Sequence, residues 1–248
     1  MTVSVVSRGA HELDWNGRGE VLLVDKSPDW TSFDVVKKTR SLFGIQKLGH
    51  AGTLDPQATG LLILCSGPKT KEIGSFADLD KCYTGTMELG IVSASFDGET
   101  EVSRLADPSN ITEELLLACI AAFRGELLQT PPMYSAVKYG GRPLYKYARA
   151  GKTVERTARK ITVSEFEVTR YKNPLVEFRV RCSKGTYIRS LVNDIGEKLG
   201  CGAVLRVLRR TAIGSYKVDD AMTIDELTNL RNQLGESPKT NADSAATS

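Results

Sequence analysis

The chain has 248 residues, 41% of them hydrophobic and 25% charged, with a net charge of +3. That length buries a full core, as one large domain or one domain with an excursion, and the composition is that of a globular protein. No apolar run approaches the ~20 residues that span a bilayer, and Met1 to Asn16 lacks the apolar segment of a secretory signal. The five cysteines (Cys65, Cys82, Cys119, Cys182 and Cys201) are odd in number and form no Cys-x-x-Cys pair. Neither disulfides nor zinc is expected, and a reducing cytoplasm fits.

In chain order, Glu20 to Asp25 predicts a strand. A helix follows, with Ser32 as N-cap, Val35, Val36 and Phe43 on its apolar face, and Gly44 as its stop. Lys47 to Gly60 is a glycine-rich loop that leads into an apolar strand, Leu61 to Cys65. A short helix is expected over Lys71 to Asp78, then a strand over Lys81 to Gly90 and a loop over Ser93 to Gly98. Asn110 with Glu113 has the spacing of a capping box for a helix from Ile111 to Phe123. The glycines and prolines between Thr130 and Pro143 mark an excursion, with a short helix near Leu144 to Ala150. Two alternating strands come next. Ile161, Val163, Phe166 and Val168 face inward in the first, with one break in the alternation, and Val176, Phe178, Val180 and Cys182 in the second. Ile188, Leu191, Val192, Ile195 and Leu199 outline a helix ended by Gly200, and Ala203 to Tyr216 reads as extended. Thr223 with Glu226 opens a last helix through Leu230. Residues 233–248 read as a disordered tail behind a domain of residues 1–232. Single strands and hairpins between helices define an α+β class with a mixed, largely antiparallel central sheet flanked by helices and an inserted segment at about 130–160.

Charge is unevenly spread. From Lys138 to Lys160 eight basic residues stand against the single acid Glu155, giving +7 and leaving −4 for the rest of the chain. Such a run is often only a solvated face. Here Tyr134, Tyr139, Tyr145 and Tyr147 lie in or beside it, and cations mixed with aromatics suit phosphates and stacked bases.

The Lys47 to Gly60 loop holds three glycines, His50 and the pair Asp55-Pro56. By itself Asp55 reads as a turn former. No Gly-x-x-x-x-Gly-Lys-Ser/Thr pattern is present, which argues against a phosphate-cradling nucleotide enzyme. However, Gly49-His-Ala-Gly-Thr-Leu-Asp-Pro-Gln-Ala-Thr-Gly-Leu-Leu62 resembles the catalytic motif of the TruB family of tRNA pseudouridine synthases. Five further blocks resemble that family in the same order: Asp25-Lys26, Lys81-Cys-Tyr83, Pro131 to Lys138, Lys184 to Leu191, and Leu208 to Gly214.

The resemblance implies a pseudouridine synthase fold without metal or cofactor, acting on the T-arm loop of tRNA to isomerise uridine 55. It implies Asp55 as nucleophile, with Arg189 as the arginine paired to it. His50, Tyr83, Tyr187 and Leu208 match substrate-contacting positions, and Pro131 to about Lys160 matches a mobile thumb. Three departures stand out. Ser27 separates Lys26 from Pro28 where family members often have Lys-Pro. Ser93-Ala-Ser-Phe lacks the usual threonines before Asp97, which is therefore left out of the candidate site. No C-terminal PUA domain is expected.

The chemistry accords with these residue types. Isomerisation breaks the C1′–N1 bond and rejoins the base through C5, so a nucleophile is needed and a redox cofactor is not. A carboxylate can attack C1′ or the ring and leave again, and in a cleft an arginine opposes its neutralisation. The uridine must be extruded, at a cost of about a few kcal/mol. Tyr83 suits a stacking platform or a proton shuttle at C5, or else half-buried core. Tyr187 and Leu208 would pack around the base, and His50 would wedge against bases or bind a phosphate. Lys26, Arg209 and Arg210 are expected on phosphates, as are Lys138, Arg142, Lys146, Arg149 and Lys152 in the thumb. The competing expectation is a non-catalytic tRNA-binding folding chaperone, which has no need for Asp55 or Arg189. A monomer is expected.

Overall fold

The computed structural model describes residues 5–6 and 13–235. In chain order its elements are β1 (Val21–Lys26), α1 (Ser32–Phe43), β2 (Leu48–Ala51), β3 (Thr59–Ser66), α2 (Ile73–Asp78), β4 (Lys81–Leu89), β5 (Ile91–Ser93) and β6 (Val102–Arg104). Then come α3 (Glu113–Ala121), β7 (Gly125–Gln129), β8 (Lys138–Tyr139), β9 (Arg142–Pro143), α4 (Leu144–Ala148), β10 (Arg159–Lys172) and β11 (Leu175–Cys182). The last are α5 (Ile188–Leu199), β12 (Ala203–Ile213), β13 (Tyr216–Lys217) and α6 (Ile224–Gln233). They pack as two compact units, Met1–Asp78 with Thr211–Ser248, and Leu79–Arg210. The expected tail lies outside the described residues from position 236 on.

In the first unit β3 is flanked by β1 and β2, both antiparallel to it. Leu61 to Cys65 is fully buried, as the unbroken apolar run implies. Against this sheet α1 packs Val35, Val36 and Phe43, with the Phe43 ring 4.8 Å from that of Trp15. The N-cap of α1 is Thr31, not Ser32: Thr31 and Asp34 form a reciprocal capping box. Gly44 ends the helix in the left-handed region, at φ 63°. Arg231 of α6 donates its Nε–H to the Leu42 carbonyl at 2.7 Å, tying α6 to the end of α1. The capping box expected at Thr223 and Glu226 is present.

The second unit carries the antiparallel ladder β4–β11–β10–β7. Val176, Phe178, Val180 and Cys182 are all buried, while Arg179 and Glu167 pair across the outer face at 2.7 Å. The break in alternation before Phe166 is a register shift between Val163 and Glu165. That bulge returns Phe166 to the inner face, 5.4 Å from Phe178. Two expectations differ. The helix from Ile111 begins later, with Thr112 rather than Asn110 as N-cap. It ends at Ala121 rather than Phe123, and Gly125 opens strand β7. Isolated parallel bridges, Val24 with Met222 and Asp97 with Leu205, make the pairing mixed.

Helix α5 crosses closely to the backbone that follows it. A Cβ on Gly196 would lie 2.1 Å from Ala203 N and 2.4 Å from Gly202 C. Helix propensity alone would favour alanine there by about 1 kcal/mol, but these atoms are backbone and cannot swing aside. Gly196→Ala is expected to destabilise the protein by about 1–3 kcal/mol, read as a lower denaturation midpoint. A midpoint raised by the substitution would contradict this packing.

Candidate active site

Asp55 sits half-buried between β2 and β3, in a loop held from both sides. On one side Ser32, 1% exposed, uses its hydroxyl twice. It accepts from Leu54 N–H at 2.9 Å and donates to Leu54 C=O at 3.2 Å. On the other side Lys26, fully buried, donates from Nζ to the carbonyls of Pro56 at 2.9 Å, Ser27 at 2.9 Å and Trp30 at 2.7 Å. The residues immediately before and after Asp55 are therefore bonded to buried side chains. Ala58 N–H closes the turn on the Asp55 carbonyl at 3.1 Å. His50, half-buried, lies on β2 opposite Leu64 of β3.

These bonds correct the expectation for Lys26. Its ammonium has three donors, the carbonyls occupy them, and none of the side chain is exposed. It braces the Asp55 loop and is not positioned to take a phosphate. Ser32, expected as a cap, is the loop's second brace.

In the second unit Arg189 occupies the first turn of α5 and is 3% exposed. Its Nη1–H donates to Ser95 C=O at 2.9 Å and its Nη2–H to Tyr134 C=O at 2.9 Å. Its Nε lies 3.3 Å from Asp97 Oδ2. Asp97, left out of the candidate site because of the residues that precede it, is thus a partner of Arg189. It is presented by a turn in which Phe96 takes a left-handed backbone, φ 65°. For a bulky residue this costs about 1–3 kcal/mol and persists only when its surroundings hold it. Here Phe96 N–H bonds Ser93 C=O at 3.2 Å and Phe96 C=O accepts from Leu205 N–H at 3.0 Å. The one signal for this turn in the sequence is the Asp97-Gly98 pair.

Tyr187 is the N-cap residue of α5, and Tyr83, 8% exposed, lies on β4 opposite Val180. On β12, Leu208 and Arg209 are half-buried, whereas Arg210 is 1% exposed. That burial removes Arg210 from the residues able to meet a phosphate at the surface.

The excursion forms the small β8–β9 hairpin followed by α4. Lys138, Arg142, Lys146, Arg149 and Lys152 are not buried. Arg142 lies over the Tyr147 ring at 5.2 Å and Arg149 over Tyr145 at 5.5 Å, so these tyrosines also orient the cations. Arg149 reaches Glu99 at 2.8 Å, and that carboxylate holds its guanidinium pKa above the ordinary arginine range. All five cysteines are free, and burial pushes the Cys65 and Cys182 thiols up to about 12. Among the described residues no cluster of three or more His, Cys, Asp or Glu is arranged to hold a metal ion.

The fold has counterparts among solved structures. It matches the crystal structure of an archaeal box H/ACA Nop10–Cbf5 complex with a TM-score of 0.66 and 25% identity, covering 95% of this chain and 66% of that one. The N-terminal-domain model of the TruB family pseudouridylate synthases matches residues 40–188, and the tRNA pseudouridylate synthase B C-terminal-domain model matches 189–240. Relatives called tRNA pseudouridine synthase B are 50% identical in Opitutus terrae (84% of this chain, 86% of that protein) and 47% identical in Chlorobium chlorochromatii (84% of each). The chain belongs to the TruB family.

The brace assigned to Lys26 is testable. Lys26→Met leaves three loop carbonyls without their donor, at about 1–3 kcal/mol each at most. We expect a lower denaturation midpoint, while the salt dependence of RNA binding stays as in the wild type. A shallower salt slope would instead make Lys26 a phosphate ligand.

Proposed function

We infer that this chain isomerises uridine to pseudouridine in tRNA, acting at position 55 of the T-arm loop through an extruded base, with Asp55 as the nucleophile. The observation that carries this reading is the mounting of Asp55 within the family's motif. Buried Ser32 and Lys26 hold the residues on either side of it, which presents one carboxylate in a defined place. A binding module or folding chaperone needs no such fixture.

In the proposed reaction the carboxylate attacks C1′ or the pyrimidine ring, the C1′–N1 bond breaks, and the base turns and rejoins through C5. The hydrogen on C5 leaves as a proton and N1 takes one up, so the product is an isomer and no electrons are gained or lost. Arg189 supplies the cation that keeps the nucleophile ionised, and Tyr83 and Tyr187 bound the base. His50 and Leu208 touch the substrate, and Arg209 with the thumb cations Lys138, Arg142, Lys146, Arg149 and Lys152 meets the T-arm backbone. These groups position the stem by shape rather than by sequence. The protein works as a monomer in the cytoplasm, where free cysteines persist.

A T-arm stem-loop with tritium on uridine C5 tests this directly, because isomerisation releases the label and binding does not. Asp55→Asn is expected to abolish release and leave the T-arm Kd within a modest factor. Parallel loss of binding and release would count against a nucleophile. Neutralising Lys146, Arg149 and Lys152 together is expected to weaken binding and flatten its salt dependence, by up to about 0.9 in slope for each phosphate no longer neutralised. An unchanged slope would contradict the thumb assignment.

A further inference from the structure

Helix α5 carries Arg189, and its N-terminus is held by a residue outside the family motifs described above. Gln129, the last residue of β7, is 4% exposed. Its amide makes two bonds to the backbone of a single residue. Oε1 accepts from Tyr187 N–H at 2.8 Å, and Nε2–H donates to Tyr187 C=O at 3.0 Å. The donor and acceptor assignment is unambiguous, because an N–H needs an acceptor and a C=O a donor. As N-cap residue, Tyr187 offers no side-chain bond to the first turn, and the Gln129 amide fixes the backbone of that N-cap residue itself. The thumb segment starts immediately after it. Ser190 Oγ–H donates to Thr130 C=O at 3.4 Å, and Arg189 reaches Tyr134 C=O. The first turn of α5 and the root of the thumb are thus joined by the Gln129 clamp and its neighbours.

We propose that Gln129 is a positioning residue for the isomerisation: by clamping the Tyr187 backbone it sets the orientation of the Tyr187 ring and the Arg189 guanidinium relative to the thumb root. The proposal rests on the isomerase reading above. Gln129 itself touches no substrate. Its loss rotates groups that do, and misplacement by about 1 Å costs on the order of 100-fold in rate.

The test uses the full chain and a C5-tritiated T-arm stem-loop under single-turnover conditions. Gln129→Leu removes both bonds at similar volume, and we expect its rate constant to fall by about 10- to 100-fold with Kd changed by no more than about twofold. Gln129→Glu supplies the finer readout and a second variant should the leucine protein fail to fold. Its ionised carboxylate can accept from Tyr187 N–H but cannot donate to Tyr187 C=O, whereas its protonated form does both, as the amide does. The ratio of the Gln129→Glu rate to the wild-type rate is therefore expected to rise as the pH falls from about 8 to about 6, the range in which a buried carboxyl gains its proton. A purely structural role would give a pH-independent ratio. Release as fast as wild type in both variants, a flat ratio, or a weakening of Kd that matches the fall in rate would overturn the proposal. A wild-type protein that binds the stem-loop and releases no label would overturn the isomerase reading itself, and this assignment with it.

Discussion

A guanidinium that is 3% exposed is the constraint around which the second unit is organised. Removing such a cation from water costs several kcal/mol unless its donors are met. Among the partners that meet that demand for Arg189 are the Asp97 carboxylate and the Ser95 and Tyr134 carbonyls. Each of these partners lies in a loop. The Ser95 to Asp97 turn accepts a left-handed Phe96 to reach it, and the Tyr134 strap at the thumb root is drawn in by the same side chain. The cation thereby converts two irregular segments into parts of a defined site.

Lys26 does the same for the first unit by a related device. Its charge is spread over three carbonyls that belong to Ser27, Trp30 and Pro56, so the chain before α1 and the chain after Asp55 converge on one ammonium. Both buried cations are tied to backbone oxygens. Their geometric consequence is that neighbouring loops lose freedom before any substrate arrives, which is the form preorganisation takes in an active site. By contrast, Lys138, Arg142, Lys146, Arg149 and Lys152 stay at the surface, where solvent screens ion pairs such as Arg149–Glu99.

Long elements and the motif are legible in the sequence, because periodicity and composition are local. The inward face of β11, the bulge before Phe166, the Gly44 and Gly200 stops and the Thr223 capping box all follow from spacing. What stays hidden depends on partners far along the chain. Thr31 and Ser32 are equally good caps, and Ser32 is excluded only because Leu54 claims its hydroxyl. Lys26 and Arg210 read as phosphate ligands because charged residues are usually exposed, and only the fold buries them. The short strands β2 and β7 have too few residues to show a period. The pairing of Asp97 stays hidden because its partner Arg189 lies on a helix much later in the chain.

The most direct test of this account replaces the buried guanidinium with an ammonium. Arg189→Lys keeps the charge but cannot reach Asp97 and two carbonyls at once, since lysine lacks the planar fork. In single-turnover tritium release from a C5-labelled T-arm stem-loop, the account predicts a rate at least about 100-fold below wild type with binding of the stem-loop retained. A wild-type rate in the Arg189→Lys protein would contradict it.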